Sequence, residues 1–392
     1  MSGEKLVPKL RFSGFNDEWI KVPAGQIFKN VSNKNHNGNL PILAVTQDKG
    51  VVPRDSIDFD IKTSEKSVKS YKIIEPGDYV ISLRSFQGGI EYSYIKGICS
   101  PAYTILKPKK EIYDDFYKFY LKKDEFISRL NYAVIGIRDG KQISYKDFSE
   151  IKIPYTSVSE QKRISEFLNV IDRKITLLEK KYEKYLDFKK YLMQQIFAQK
   201  LRFAEYDDDW KTVRLKTVGE INTGNTPSTK VKEYYSPEKY LWVTPSDISS
   251  KYIVNTEKKL SEEGAEKGRF VKKGSVLVTC IASIGKNCII TEDGYFNQQI
   301  NSITPNKDHD SEFIYYLICN NAERMKKYAG ITATPILNKK SFENMKFEFP
   351  SLNEQKQIKM ILSNADNKIF KLENMIDETQ KFKKGLLQQM FV

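Results

Sequence analysis

The polar side chains best suited to reading the edge of a base lie in turn-rich stretches of this chain. They are Thr46, Gln47, Lys49, Arg84, Gln87, Arg138 and Lys141 in the first half, and Thr226, Lys230, Thr244, Ser246, Lys286, Asn297, Gln298 and Thr332 in the second. Arg, Lys, Asn, Gln and Thr donate to and accept from base edges in a nucleic-acid groove, and flanking Gly, Pro and Asn residues place these ones on loops. The same residue types also cap turns or simply face water, so both readings stay open for each.

Bond-making chemistry is harder to assemble. There are only two histidines, His36 and His309, both in polar surroundings that read as surface. This scarcity argues against a Ser-His-Asp triad and many metal-dependent hydrolases, though not against carboxylate-only metal sites. Carboxylates are plentiful but show no nuclease spacing, and no metal ligands are assigned. Cys99, Cys280, Cys288 and Cys319 lack Cys-x-x-Cys spacing and read as reduced structural thiols. An unaided DNA methylase would need an Asn-Pro-Pro-Tyr or Asp-Pro-Pro-Tyr type motif, and the chain contains no Pro-Pro. Phe86-Gln87-Gly88-Gly89 has the wrong spacing for a glycine-rich cofactor strand. Ile284-Gly285-Lys286 lacks the upstream glycine and following Ser/Thr of a phosphate-binding loop, leaving Lys286 on a turn within reach of a nucleic-acid phosphate. No catalytic residue is assigned. The chain reads as non-catalytic.

The formal charge is +14 over 392 residues. A basic excess suits a polyanionic partner, because lysine and arginine displace counterions condensed on phosphates. The length suits two or more domains. No apolar run approaches the roughly 18 to 20 residues of a membrane span, and the N-terminal stretch lacks a signal-peptide core, so a cytoplasmic location is expected.

The elements that must position these side chains are written twice. Lys9-Leu10-Arg11-Phe12, with Asp17 and Trp19 after it, recurs as Lys200-Leu201-Arg202-Phe203 with Asp208 and Trp210. "EPGDYVIS" (75–82) is echoed by "KKGSVLVT" (272–279), Gly97 to Pro108 by Gly294 to Pro305, and Glu160 to Phe197 by Glu354 to Phe391 without a gap. Short Tyr- and Ile-rich runs read as strands, while 114–130 and 311–328 read as amphipathic helices. Trp19, Trp210 and Trp242 are expected in the core.

Ser157-x-x-Glu160 and Ser351-x-x-Glu354, downstream of Pro154 and Pro350, fit capping boxes that start two long helices. Beyond them the apolar positions step by four and three. The first seam is Ile164, Leu168, Ile171, Ile175, Leu178, Tyr182, Tyr185, Lys189, Leu192, Ile196; the second is Ile358, Leu362, Ala365, Ile369, Leu372, Ile376, Thr379, Lys383, Leu386, Met390. This is the stripe of a coiled coil, with a lysine at the same place in each copy, to fix register or reach out to water. A helix spanning roughly 48 Å with so narrow a stripe needs a partner. Matched length and phase favour the two helices pairing with each other over separate homodimers, and connectivity then makes them antiparallel.

The expected fold class is α+β: two mixed α/β globular domains (1–153 and 199–349) separated by two long helices (154–198 and 350–392). The helices form an intramolecular antiparallel coiled coil, pseudo-two-fold and near-circular. Two unlike basic readers on one spacer would read separated half-sites, spaced on the scale of a DNA turn of about 34–36 Å. The composite site would be asymmetric and interrupted.

This layout, with "SEQKRI" and "NEQKQI" opening helices that end in "QQIF" and "QQMF", strongly resembles the specificity subunit of type I restriction-modification enzymes over essentially the whole chain. "TGNTPS" (223–228), "LWVTPSDI" (241–248), "SIGK" (283–286) and "FNQQI" (296–300) look like that family's target recognition domains. "LAVTQDKG" (43–50) and "RSFQGG" (84–89) depart from the usual wording, which reads as a different target. The resemblance implies duplex DNA as ligand and two methyltransferase subunits docked on the helices, with restriction subunits joining through that core. S-adenosylmethionine, ATP and magnesium would then belong to the partner subunits. The duplicated outer-face residues Asp172/Asp366, Lys174/Lys368, Glu179/Glu373 and Phe188/Phe382 would give two equivalent docking sites, although such charged faces are commonly just solvated. A coiled-coil adaptor whose ends bind protein or RNA is the competing reading. A self-sufficient methyltransferase or nuclease is a third, against which the missing motifs count.

Overall fold

The computed structural model describes residues 6–47, 49–57, 65–83, 85–134, 143–329 and 335–392. The chain forms two compact units, 1–179 with 374–392, and 180–373. Among the described residues, no helix is long and apolar enough to cross a membrane.

The first unit is built on an antiparallel sheet in the order Phe28–Val31, Thr104–Pro108, Tyr79–Ile81, Glu91–Tyr92. The second repeats that order with Gly219–Thr223, Ile300–Pro305, Val276–Thr279, Asn287–Ile290, and adds Tyr252–Ile253 at the edge. The repeated turn words explain the repeated bend. Gly77 and Gly274 both take positive φ, +93° and +81°, a conformation that costs glycine little because it has no Cβ. In each unit a first strand pairs antiparallel with the strand leading into a long helix: Ile20–Pro23 with Lys152–Tyr155, and Lys211–Arg214 with Lys346–Phe349.

Four helices carry the frame: α1 (Asp114–Tyr120), α2 (Val158–Phe197), α3 (Ser311–Tyr328) and α4 (Leu352–Met390). The expected helix over 311–328 is continuous, capped by Asp310, whose Oδ1 accepts from Glu312 N (2.9 Å) and Phe313 N (3.1 Å). The one expected over 114–130 is not. It stops at Tyr120 and restarts at Asp124. Tertiary contacts hold the break: Leu121 O accepts from Ile90 N at 3.4 Å, and buried Lys123 donates Nζ to Phe391 O at 3.2 Å. Local amphipathicity contains neither contact.

Both seams are turned inward. Their aliphatic members from Ile164 to Leu178 and from Ile358 to Ala365 are buried, as are Leu192, Ile196, Leu372, Leu386 and Met390. Tyr182, Tyr185, Lys189, Ile369, Ile376 and Lys383 are half-buried. In the first unit, Ile164 and Leu168 at the start of α2 share a core with Leu386 and Met390 at the end of α4. In the second, Leu192 and Ile196 at the end of α2 share one with Ile358 and Leu362 at the start of α4. Start meets end in each unit, the antiparallel sense.

The capping boxes are half realised. Ser157 Oγ accepts from Glu160 N (3.4 Å) and Ser351 Oγ from Glu354 N (3.3 Å). The glutamate carboxylates, however, are taken by stronger partners than a cap N–H. Glu160 receives Arg11 in a fork (2.7 and 2.9 Å), the Trp19 indole N–H (3.0 Å) and the Thr156 hydroxyl (2.6 Å). Glu354 receives Arg202 (3.1 and 3.0 Å) and the Trp210 indole (3.2 Å). Charge-assisted bidentate bonds outcompete a neutral donor. The next residue, Gln161 or Gln355, donates to Thr156 O or Pro350 O and accepts from Tyr113 N or Asp310 N. The repeated Glu therefore ties the Arg11–Trp19 and Arg202–Trp210 segments to the roots of α2 and α4. The repeated Gln ties the starts of α1 and α3 there, and all three tryptophans are buried as expected.

Candidate nucleic-acid interface

In the second unit three loops meet at the ends of strands. Gly224 N donates to Ile300 O (3.1 Å), Asn225 N to Phe296 O (3.0 Å), and Asn297 N to Val243 O (3.0 Å). The approach depends on Gly224: a Cβ there would stand 2.2 Å from Asn297 O and 2.4 Å from Phe296 O. This stitching unites several expected base readers. Thr226 donates its hydroxyl to Gln298 Oε1. Thr244 Oγ1 lies 2.8 Å from Ser246 Oγ, and Asp247 accepts both Thr244 N (2.8 Å) and its hydroxyl (2.6 Å).

Thr244, Ser246 and Asn297 line a recess of about 410 Å³ together with Trp242, Lys258 and Gln299. Gln299 and Lys258 escape a reading of the sequence by residue type and turn. Gln299 is the second glutamine of "FNQQI" and stands in plain view there, whereas nothing in the sequence marks Lys258. Exposed Lys230 and Lys286 stand on the neighbouring turns Ser228–Val231 and Ser283–Lys286. The second turn is held by Gly285 at φ +88°.

The first unit assembles a smaller group. Leu43–Thr46 and Gly50–Pro53 form a hairpin, and Thr46 Oγ1 accepts from Lys49 N (3.0 Å) while donating to Gly50 O (3.3 Å). Gln47 Nε2 reaches across to Gln87 Oε1 at 3.2 Å. Lys122 braces the pair from below, donating to Gly88 O (3.0 Å) and pairing with Glu91. Arg84, Arg138, Lys141 and Thr332 lie outside the described residues.

The expected docking residues divide into two sets. Lys174, Glu179, Lys368 and Glu373 are exposed, and Phe188 and Phe382 stand 49% and 59% open to solvent. Asp172 and Asp366 are instead half-buried and bound to the seam lysines Lys383 and Lys189. Each lysine also lies over a ring of its unit, Lys383 at 5.4 Å from Phe119 and Lys189 at 5.6 Å from Tyr316. In the second unit the network continues. Tyr316 donates its hydroxyl to Asp366 Oδ2 (2.5 Å), and Lys251 bonds Glu312 (2.5 Å), Tyr316 (2.9 Å) and Ser363 (2.9 Å). Hydrogen bonding to Glu160 and Glu354 raises the pKa of Arg11 and of Arg202, and burial lowers that of Lys118 beside Asp115. Among the described residues, no group of three His, Cys, Asp or Glu could hold a metal ion.

The sequence profile of the type I restriction modification DNA specificity domain matches this chain twice, at 16–185 and 207–379. The chain is 24% identical over 408 aligned residues to the type I restriction enzyme MjaVIII specificity subunit of Methanocaldococcus jannaschii, covering 95% of this chain and 91% of that one. It is 30% identical over 208 residues to the MjaIX specificity subunit of the same organism, of which it spans about half (48%). The type I restriction-modification S subunit of M. genitalium superposes with a TM-score of 0.59 at 15% identity, over 98% of this chain and 99% of that one. A chain from a structural study of complex assembly and conformational transition of the type I R-M system superposes at 0.62, also at 15% identity, over 95% and 97%.

Proposed function

Because the chain belongs to the type I restriction modification DNA specificity family, we propose that each of its units reads one half of an asymmetric, interrupted duplex site. Within a type I restriction-modification system this is a specificity subunit, contributing recognition while its partners carry the chemistry. The paired long helices set the spacing between the halves and dock two methyltransferase subunits through the exposed duplicated positions around Phe188 and Phe382. Restriction subunits join through that core. S-adenosylmethionine, ATP and magnesium serve the partner subunits, and the complex works in the cytoplasm.

One observation carries the reading. The Glu160–Arg11–Trp19 clasp recurs as Glu354–Arg202–Trp210 with matching bonds, while the loops above it present different sets of polar groups. A fixed frame with exchanged tips suits the same task on two different sequences. Binding of the assembled complex to duplex DNA tests it. The expected result is affinity that falls steeply with salt yet keeps a preference for one sequence. Equal affinity for all duplexes would contradict it.

A further inference from the structure

The loop meeting point of the second unit contains a side chain whose hydrogen-bonding polarity is already decided. Asn297 is nine-tenths buried, with 7% exposure. Its Oδ1 accepts from the backbone N–H of Gln299 at 3.0 Å, which fixes which end of the Asn297 amide is oxygen. The other end must then be Nδ2, and it donates to Gln299 Oε1 at 3.3 Å. One of the two lone pairs of Gln299 Oε1 is therefore engaged. The Gln299 backbone is held as well, since Cys280 N donates to Gln299 O at 2.8 Å. What Gln299 keeps unshared is both hydrogens of its Nε2 amide and one lone pair of Oε1, on the wall of the recess shared with Thr244, Ser246 and Lys258.

A glutamine with both ends available reads adenine by accepting from N6 and donating to N7. One whose oxygen already accepts from a neighbouring amide keeps one lone pair but both Nε2 hydrogens, so donation leads what it offers. We infer that Gln299 is a specificity-determining residue of the second unit, its oriented Nε2 donating to an acceptor on a base's major-groove edge, the N7 of a purine. Asn297 is its positioning residue. This rests on the DNA-reading function proposed above.

The first unit supports the assignment by contrast. Its Ser100 and Ala102 occupy the repeat positions of Asn297 and Gln299. Ser100 Oγ accepts from Ala102 N at 3.3 Å, making the same turn. The turn is thus duplicated, but the amide pair is present only in the second unit. The two halves of the site should differ at the base pair this turn meets.

The test maps adenine methylation on genomic DNA by the complex of the full chain with its methyltransferase subunits. Gln299→Ala is expected to relax discrimination at one base pair of one half-site by about tenfold, leaving the other half unchanged. Gln299→Glu, which exchanges the donor for an acceptor, should move preference at that pair toward cytosine, whose N4 donates. Asn297→Ser with Gln299→Ala, the first unit's own residues, should relax the same pair. Where methylation falls below detection, binding to duplexes with each base pair exchanged in turn reads the same quantity. A motif unchanged at every position, or relaxation spread over both halves, overturns the inference. A wild-type complex with no sequence preference at all would overturn the functional reading beneath it instead.

Discussion

Lys383 Nζ stands 2.5 Å from Oδ1 of Asp172. The repeat of that pair, Lys189 with Asp366, has the same separation. The residues that interrupt the two apolar seams are thus bound to acids of the opposite helix. A parallel homodimer through α2 alone would set Lys189 against its own copy, a like-charge contact that the crossed pairing avoids. The lysines fix who pairs with whom.

Reversing one partner should expose that coupling. Asp366→Lys is expected to lower the unfolding midpoint, and adding Lys189→Asp to restore part of it. Both groups keep about a quarter of their surface open, so a double-mutant cycle in urea should give about 0.5–1 kcal/mol. An additive cycle would remove the pair from any role in register. For the same reason, charge reversal at Asp172 and Asp366 cannot serve as a pure test of subunit docking.

Docking is better tested at Phe188 and Phe382, which contribute exposed rings at equivalent places. Changing both to Ser should leave the unfolding midpoint within about 0.5 kcal/mol of wild type, as surface changes generally do. Co-purification with the methyltransferase subunits should fall at least tenfold. Undiminished co-purification would place the docking face elsewhere.

The buried clasp should behave as a stability element. The Glu354 side chain is 3% exposed and that of Arg202 20%. Glu354→Ala leaves a guanidinium and an indole N–H without their acceptor, a loss of about 3 kcal/mol, the low end for a buried pair because Arg202 reaches solvent. Unfolding measured by near-ultraviolet circular dichroism checks it. A change below about 1 kcal/mol would mean that the carboxylate is replaceable.

Two glycines give opposite expectations. Gly224→Ala forces a Cβ into the carbonyls of Phe296 and Asn297, so the second half-site should lose discrimination while far-ultraviolet dichroism stays unchanged. Gly385→Ala, on α4 with no atom beyond the neighbouring helix backbone within 4 Å of its added Cβ, should stabilise the chain by up to about 1 kcal/mol through helix propensity. Intact discrimination in the first variant would show that the loop junction tolerates widening.

The long helices are legible in the sequence because a heptad stripe is a local periodic signal, readable without knowing what it packs against. Glu160 and Glu354 are legible only in part. Their spacing from serine fits a cap, but their real partners, Arg11 and Arg202, lie far away in sequence, and only the shared repetition of both words links them. The break at Leu121 is invisible there, because Ile90 N and Phe391 O impose it from elsewhere in the chain. Among the residues proposed to read bases, residue type picks out Thr226, Thr244, Asn297 and Gln298. It cannot choose between Gln298 and Gln299, because which amide end is occupied depends on the fold of the turn.

The central claim is two unlike readers at a fixed separation, and one measurement meets it most directly. Methylated adenines are mapped genome-wide for the complex of this chain with its methyltransferase subunits, then again after residues 1–150 are replaced by the corresponding part of another specificity subunit. The account predicts a single asymmetric motif with unread base pairs between its halves, of which the exchange alters one half and leaves the spacer and the other half intact. A continuous motif, or one in which both halves change together, would contradict it.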